Sequence, residues 1–169
     1  MLGGLMYASK LLMNAFPNVH FIGVSIVALT LVYRFKALFP LYVFVLIHGF
    51  VEGFSPWWVP YLYIWLPLWG ATMALPKKMP KWLAPVVYMF ICGFHGISYG
   101  TMFAPCHALF FHLDFKGMLA WIATGFPWDV THGVSNLIFG SLIIPLATVI
   151  RMAENLGKSN EPVHKESNH

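Results

Sequence analysis

Long apolar segments fill most of this chain, and short connections rich in proline or polar residues separate them. Reading from one connection to the next gives six segments, at residues 2–16, 20–33, 38–55, 57–75, 82–112 and 118–152. A soluble domain usually carries about 25% charged residues, whereas only 9% of this chain is charged. The pattern predicts an all-α integral membrane protein of about six transmembrane helices.

The chain becomes polar after the sixth segment. Its last residues read NLGKSNEPVHKESNH, a composition that cannot bury enough apolar surface to fold alone. We therefore predict one membrane domain at residues 1–152 and a polar, disordered cytoplasmic tail at residues 153–169.

Lysine and arginine are distributed unevenly between the connections. If both termini are cytoplasmic, the inner positions hold Arg34, Lys36, Lys77, Lys78, Lys81, Arg151, Lys158 and Lys165. The outer connections hold a single basic residue, Lys116. Because cytoplasmic loops carry an excess of Lys and Arg, we expect both termini on the cytoplasmic side of the membrane. The chain would then be a multi-pass protein of a prokaryotic plasma membrane. The formal charge of +4 lies in no basic patch with interleaved aromatics, so no nucleic-acid partner is predicted.

The stretch GFPWDVTHGVSNLIFG, at residues 125–140, is unusually polar for an apolar segment. Asp129, His132 and Asn136 are spaced by three and four residues, so on a helix they share one face. Asp129 alone fits two interpretations, a helix-start acid beside Pro127 or a ligand group. His132 and Asn136 either bond neighbouring helices or form a polar wall for a ligand, because an unsatisfied polar group in lipid is costly.

Two further groups of residues sit near the predicted outer face. His48 and Glu52 are four residues apart and precede Trp57 and Trp58. These residues either anchor a helix at the lipid headgroups or form the mouth of a site, with the rings against a flat ligand. Tyr61 belongs to a run of aromatic residues typical of packing or of an aromatic belt.

The fifth segment repeats polar and aromatic residues at helical spacing. Tyr88, Cys92, His95 and Tyr99 follow one another at intervals of three or four residues, so His95 either bonds a neighbouring helix or lines a cavity. No HExxH, CxxC or P-loop pattern occurs in the sequence. We therefore predict no metal site, no cofactor, no enzymatic activity and no intrinsic ATP hydrolysis.

Taken together, these features resemble the substrate-binding S component of energy-coupling factor transporters. The resemblance covers about residues 2–152 and rests on the six segments, on the small-residue stretch Gly4–Ala8, and on AFPNVHFIGVSIVALTLVYRFKALFPLYVFVLIHGFVEG and GFPWDVTHGVSN. Such proteins capture a vitamin or related micronutrient from outside. They dock through small residues of the first helix to a transmembrane coupling subunit, which two cytoplasmic ATPases drive.

The resemblance implies a ligand site near the outer face and a docking face at Gly4 and Ala8. With the patterns above, the predicted substrate-binding residues are Asn18, His20, Glu52, Trp57, Trp58, Tyr61, His95, Tyr99, Trp128, Asp129, His132 and Asn136. Two carboxylates and abundant tryptophan suit a planar, nitrogen-rich or cationic compound.

Two alternative functions remain open at the level of sequence. In one, His48, His95 and His132 serve a small membrane haem or quinone redox protein. In the other, the polar groups only hold helices together in a structural membrane subunit.

Overall fold

The computed structural model of the protein describes residues 1–16, 19 and 21–159. Within these residues every regular element is helical, and no strand occurs, as the all-α prediction required. The α-helices are α1 (Leu2–Leu12), α2 (Ile22–Tyr33), α3 (Leu38–Glu52), α4 (Leu66–Ala74), α5 (Leu83–Ile97), α6 (Tyr99–Phe110), α7 (Phe115–Phe139) and α8 (Ile143–Ser159). Short 3-10 helices cover Arg34–Ala37, Val59–Leu62 and Gly140–Leu142.

Three helical stretches in the described part of the chain are long and apolar enough to cross a membrane, and the first of them changes direction at Arg34, whose φ is 54°. They are Ile22–Glu52, Leu83–Phe110 and Phe115–Gly157, fewer than the six predicted. The predicted segments 2–16 and 57–75 give helices of only 11 and 9 residues, α1 and α4. Pro56 and Pro60 lack the backbone N–H that an α-helix requires, and residues 57–65 fold into turns and a 3-10 helix. Pro67 lies in the first turn of α4, where proline is tolerated.

The predicted boundary at residue 152 lies inside α8. That helix continues to Ser159 because Arg151–Leu156 contains good helix formers and no proline. The predicted disordered tail therefore does not begin at residue 153. Residues 160–169 lie outside the described part of the chain.

The core of the bundle is built around α2. This helix has no charged residue and is apolar around most of its circumference, as expected of a buried helix. Val27 and Ala28 are fully buried, and Ile22 and Val24 nearly so. The outer surface is also apolar, since side chains such as Phe39, Phe50 and Phe94 are about three quarters exposed. An apolar exterior around an apolar core is expected when lipid is the solvent.

Close packing of α5 against α7 depends on glycine. A Cβ on Gly96 would lie 2.8 Å from the Cα of Gly133, and a Cβ on Gly93 would lie 3.2 Å from the Gly133 carbonyl oxygen. Small residues let helix backbones approach closely in membrane proteins. This contact fixes how far along the bundle the polar residues of α7 lie relative to α5 and α6.

Basic residues gather at one end of the bundle. The Arg34 guanidinium donates to the carbonyl of Met73, near the end of α4, at 2.8 Å. Arg151 donates to the carbonyl of Leu31, near the end of α2, at 3.2 Å. From this end α3 runs 15 residues to Glu52, about 22 Å at ~1.5 Å per residue.

Candidate ligand-binding site

A cavity of about 570 Å³ opens at the Glu52 end of α3, between the residue 53–62 connection, α6 and α7. Its size falls in the range of ~300–1,000 Å³ typical of small-molecule sites. Many of the predicted substrate-binding residues line it, namely Glu52, Trp57, Trp58, Tyr61, Tyr99, Trp128, Asp129 and His132. Residues from distant parts of the sequence therefore line the same cavity.

Other lining residues lie outside the predicted substrate-binding set, although His48 was paired with Glu52 as a helix anchor or as the mouth of a site. They are Lys10, His48, Gly53, Ser55, Gly100, Phe103, Trp121 and Gly125. Phe103 and Trp121 carried no sequence signal, because an aromatic residue on an apolar helix is ordinarily core or lipid-facing. Lys10 did carry one, since a basic residue inside an apolar segment is unusual and often functional.

The chain turns sharply into the cavity after α3. Gly53 has a φ of +98°, a conformation that side chains disfavour, and it ends the helix by donating to the Gly49 carbonyl at 2.9 Å. The Trp58 indole N–H then donates to the Val45 carbonyl at 2.8 Å. A Cβ on Gly49 would collide with the Trp58 ring and with Phe54, so glycine there lets the connection lie against α3.

The Glu52 carboxylate is held by three side chains. Its Oε1 accepts from the Tyr7 hydroxyl at 3.1 Å and from the Lys10 ammonium at 2.5 Å. Its Oε2 lies 3.4 Å from Nε2 of His48, one helical turn earlier. The Lys10 side chain is 15% exposed and that of Glu52 is 36% exposed. This partly shielded ion pair ties α1 to α3 at the edge of the cavity.

Asp129 occupies the middle of α7, because the helix begins at Phe115 and continues through Pro127. The interpretation of Asp129 as the start of its own helix is therefore wrong. Asp114 has that role, since its side chain accepts from the Gly117 N–H at 2.7 Å. Proline is tolerated inside such a helix where neighbouring groups compensate for the lost bond.

Asp129 instead reaches across to the N-terminus of α6. Its Oδ1 accepts from the backbone N–H of Gly100 at 3.0 Å, and a helix N-terminus favours a negative charge. The residue is 7% exposed, and its Oδ2 has no hydrogen-bond partner among the described residues. A buried polar atom left unpaired costs about 1–3 kcal/mol, so this oxygen favours a ligand that brings a donor.

Aromatic rings form the walls of the cavity. The Trp57 and Phe103 rings are 5.3 Å apart at 32°, and Phe103 and Trp121 are 6.2 Å apart at 22°. Deeper in, the Tyr99 ring lies 4.8 Å from the ring of His132. The Trp57, Phe103 and Trp121 rings are thus within about 32° of parallel to their neighbours, whereas Tyr99 and His132 are tilted by 56°. Flat ring surfaces of this kind suit an aromatic ligand.

His95 and Asn136, both predicted to bind substrate, do not line this cavity. His95 Nε2 lies 2.8 Å from the Ile64 carbonyl oxygen, and its ring stacks on Trp65 at 5.6 Å. Asn136 is 1% exposed and lies near Gly23 and Gly96, between α2 and α5. His95 therefore holds the turn at Ile64 against α5, whereas the Asn136 amide is buried in the helix packing, with neither its N nor its O hydrogen-bonded among the described residues. Asn18 and His20 lie outside the described residues.

The three histidines of the redox alternative are not brought to one place. His48 and His132 line the cavity, whereas His95 is engaged with the Ile64 carbonyl. Among residues 1–16, 19 and 21–159, no group of three or more His, Cys, Asp or Glu side chains is placed to hold a metal ion.

The predicted docking residues lie on an open face of α1. Space is free around the position of a Cβ on Gly4, and Ala8 is exposed. The opposite face packs on α3, where a Cβ on Gly3 would lie 2.6 Å from the Pro40 carbonyl oxygen. Searches with the chain found no matching family model, no curated relative and no solved structure.

Proposed function

We propose that the protein is a membrane-embedded binding subunit that captures a vitamin or related planar micronutrient from outside the cell. The observation that carries this proposal is the cavity at the Glu52 end of α3, with its aromatic walls and two carboxylates. A concave site of apolar and aromatic surfaces with few polar groups is the usual form of a small-molecule site. Binding of this kind makes and breaks no bond, so the proposal is of a non-enzymatic transport subunit.

The proposed topology is six crossings with both termini cytoplasmic in a prokaryotic plasma membrane. The basic residues support this orientation, because Arg34 and Arg151 lie at the end of the bundle away from Glu52. Positive residues favour the cytoplasmic side, which would leave the cavity facing outward. A ligand could then enter from the external solution without crossing the bilayer.

The proposed partners are a transmembrane coupling subunit and two cytoplasmic ATPases, as in energy-coupling factor transporters. The sequence resemblance and the open face around Gly4 and Ala8 support this part of the proposal. Small residues on that face would allow a partner helix to approach closely. Because the chain has no P-loop, the free energy of uptake must come from the partners.

Native mass spectrometry of the purified protein tests the binding function directly. We expect a retained small molecule, or a gain of mass with one member of a vitamin panel, and copurification of a coupling subunit from native membranes. A folded protein that retains nothing, binds nothing across the panel and copurifies with no such subunit would overturn the proposal.

A further inference from the structure

Among the described residues that line the cavity, five have side chains that commonly carry charge near neutral pH or slightly below it. They are Lys10, His48, Glu52, Asp129 and His132. The two carboxylates differ in their partners, because Glu52 bonds to a lysine and Asp129 does not. This inference about the ligand rests on the proposed binding function.

Glu52 is the carboxylate with a cation of its own. Lys10 donates to Oε1 at 2.5 Å, Tyr7 donates to the same oxygen, and His48 lies beside Oε2. An ion pair this short and partly shielded cancels most of the field of the carboxylate. Glu52 therefore offers little attraction to a second positive charge.

Among the described residues, no lysine or arginine bonds to Asp129. The Gly100 N–H satisfies Oδ1, and Oδ2 is buried without a hydrogen-bond partner in the described part of the chain. Lys10 is the only lysine or arginine among the described cavity residues, and it bonds to Glu52 and not to Asp129. When both carboxylates are ionised and the histidines are neutral, the described cavity residues therefore carry one negative charge that no lysine or arginine pairs with, and it lies on Asp129.

The aromatic walls favour the same kind of ligand. Trp57, Phe103 and Trp121 line the same cavity as Asp129, and their rings contact one another along its wall. Ring faces attract cations electrostatically and repel anions. A flat ring that carries one positive, N–H-bearing edge would satisfy the walls and Asp129 together.

We propose that the ligand is a planar aromatic monocation whose N–H-bearing edge binds Asp129. Glu52 does not bind the ligand, because Lys10 already pairs with it. The class includes protonated aminopyrimidines, amidines and comparable nitrogen heterocycles. Neutral isosteres lack the charge, and anionic isosteres would meet an unpaired carboxylate. Dications would find only one carboxylate free.

The test uses ring-matched probes of different charge. Binding of benzamidinium, benzamide and benzoate, and of 2-naphthamidinium, 2-naphthamide and 2-naphthoate, is followed by tryptophan fluorescence and thermal shift in detergent. We expect each amidinium to bind at least tenfold more tightly than its amide, and the carboxylates to bind least. Equal binding within a set, or tighter binding of an amide or carboxylate, would overturn the inference.

Two variants separate the roles of the carboxylates. Asp129→Asn keeps an oxygen for the Gly100 N–H, and we expect it to abolish the preference for amidinium over amide. Lys10→Met frees Glu52, and we expect at least a tenfold gain for benzene-1,4-dicarboxamidine, with Lys10→Arg as the matched control that shows none. An unchanged preference in the first variant, or no gain in the second, would contradict the assignment.

The outcomes also distinguish this inference from the proposed function. A tightly bound neutral or anionic compound, whether a probe or a molecule retained on purification, would leave the binding function standing and overturn the charge assignment. A retained aromatic cation would support both. A folded protein that binds none of the probes and retains no molecule would overturn both.

Discussion

The Asp129 side chain belongs to α7 but binds the N-terminus of another helix, α6, and this contact depends on Gly100. Its carboxylate fits against the first turn of α6 because residue 100 has no side chain. A Cβ on Gly100 would lie 2.9 Å from Cγ of Asp129 and closer still to Oδ2. A single methyl group would therefore displace the carboxylate from both the helix terminus and the cavity.

We expect Gly100→Ala to lower stability by about 1–3 kcal/mol, as overpacking does, and to weaken ligand binding. Thermal unfolding in detergent and the amidinium assay would measure the two effects. Gly70→Ala is the matched control, because nothing lies within 4 Å of its Cβ position in α4. There alanine should be neutral or stabilising by up to about 1 kcal/mol. Equal effects of the two substitutions would contradict this account.

Among the helices, α1 connects two surfaces with different tasks. One face packs on α3 through Gly3, and its Tyr7 and Lys10 side chains reach Glu52 at the cavity. The other face carries Gly4, Leu5 and Ala8, of which Leu5 is 58% exposed. The docking proposal and the ligand proposal thus concern opposite sides of one short helix.

A bulky residue on the open face of α1 should impair docking alone. We expect Ala8→Trp to reduce copurification of the coupling subunit by tenfold or more, because close helix approach needs a small residue, with binding of small molecules unchanged. Val86→Trp on α5, also at an exposed position, is the control and should copurify normally. Loss of copurification in both variants, or in neither, would argue against docking through α1.

At the scale of the whole molecule, the bundle has two chemically different ends. Arg34 and Arg151 bond to helix carbonyls at one end, whereas the cavity and the Glu52 network occupy the other. From Asp129 back to Phe115, α7 extends for 14 further residues, about 21 Å. The α6–α7 connection is therefore far from the basic end.

Cysteine labelling in intact cells tests the proposed orientation. In a background with Cys92→Ala and Cys106→Ser, we expect Lys116→Cys to react with a membrane-impermeant maleimide. Lys78→Cys should react only after permeabilisation. Both positions are exposed in the structure, so accessibility within the fold is matched. The reverse labelling pattern would place the cavity on the cytoplasmic side.

Sequence patterns anticipated the helical class and many cavity residues for identifiable physical reasons. Apolar runs must be helical where lipid leaves no other way to satisfy the backbone. The spacing of Asp129 and His132 places them on one helical face. Helix lengths were anticipated less well, because Pro56 and Pro60 replaced the first part of a predicted helix by turns and a 3-10 helix. The spacing of apolar residues alone does not reveal where a helix is interrupted in this way.

The sequence by itself determined that the chain is helical, apolar on its outside, and supplied with polar residues near one end of its segments, since these follow from composition and periodicity. Only the tertiary structure decided which polar residues share a cavity. It paired Lys10 with Glu52 across 42 positions of sequence, placed Asp129 at the N-terminus of α6, and left Asn136 and His95 outside the lining of the cavity. Side-chain partners depend on helix packing, which here is set by close contacts at glycines, and no local pattern encodes such contacts.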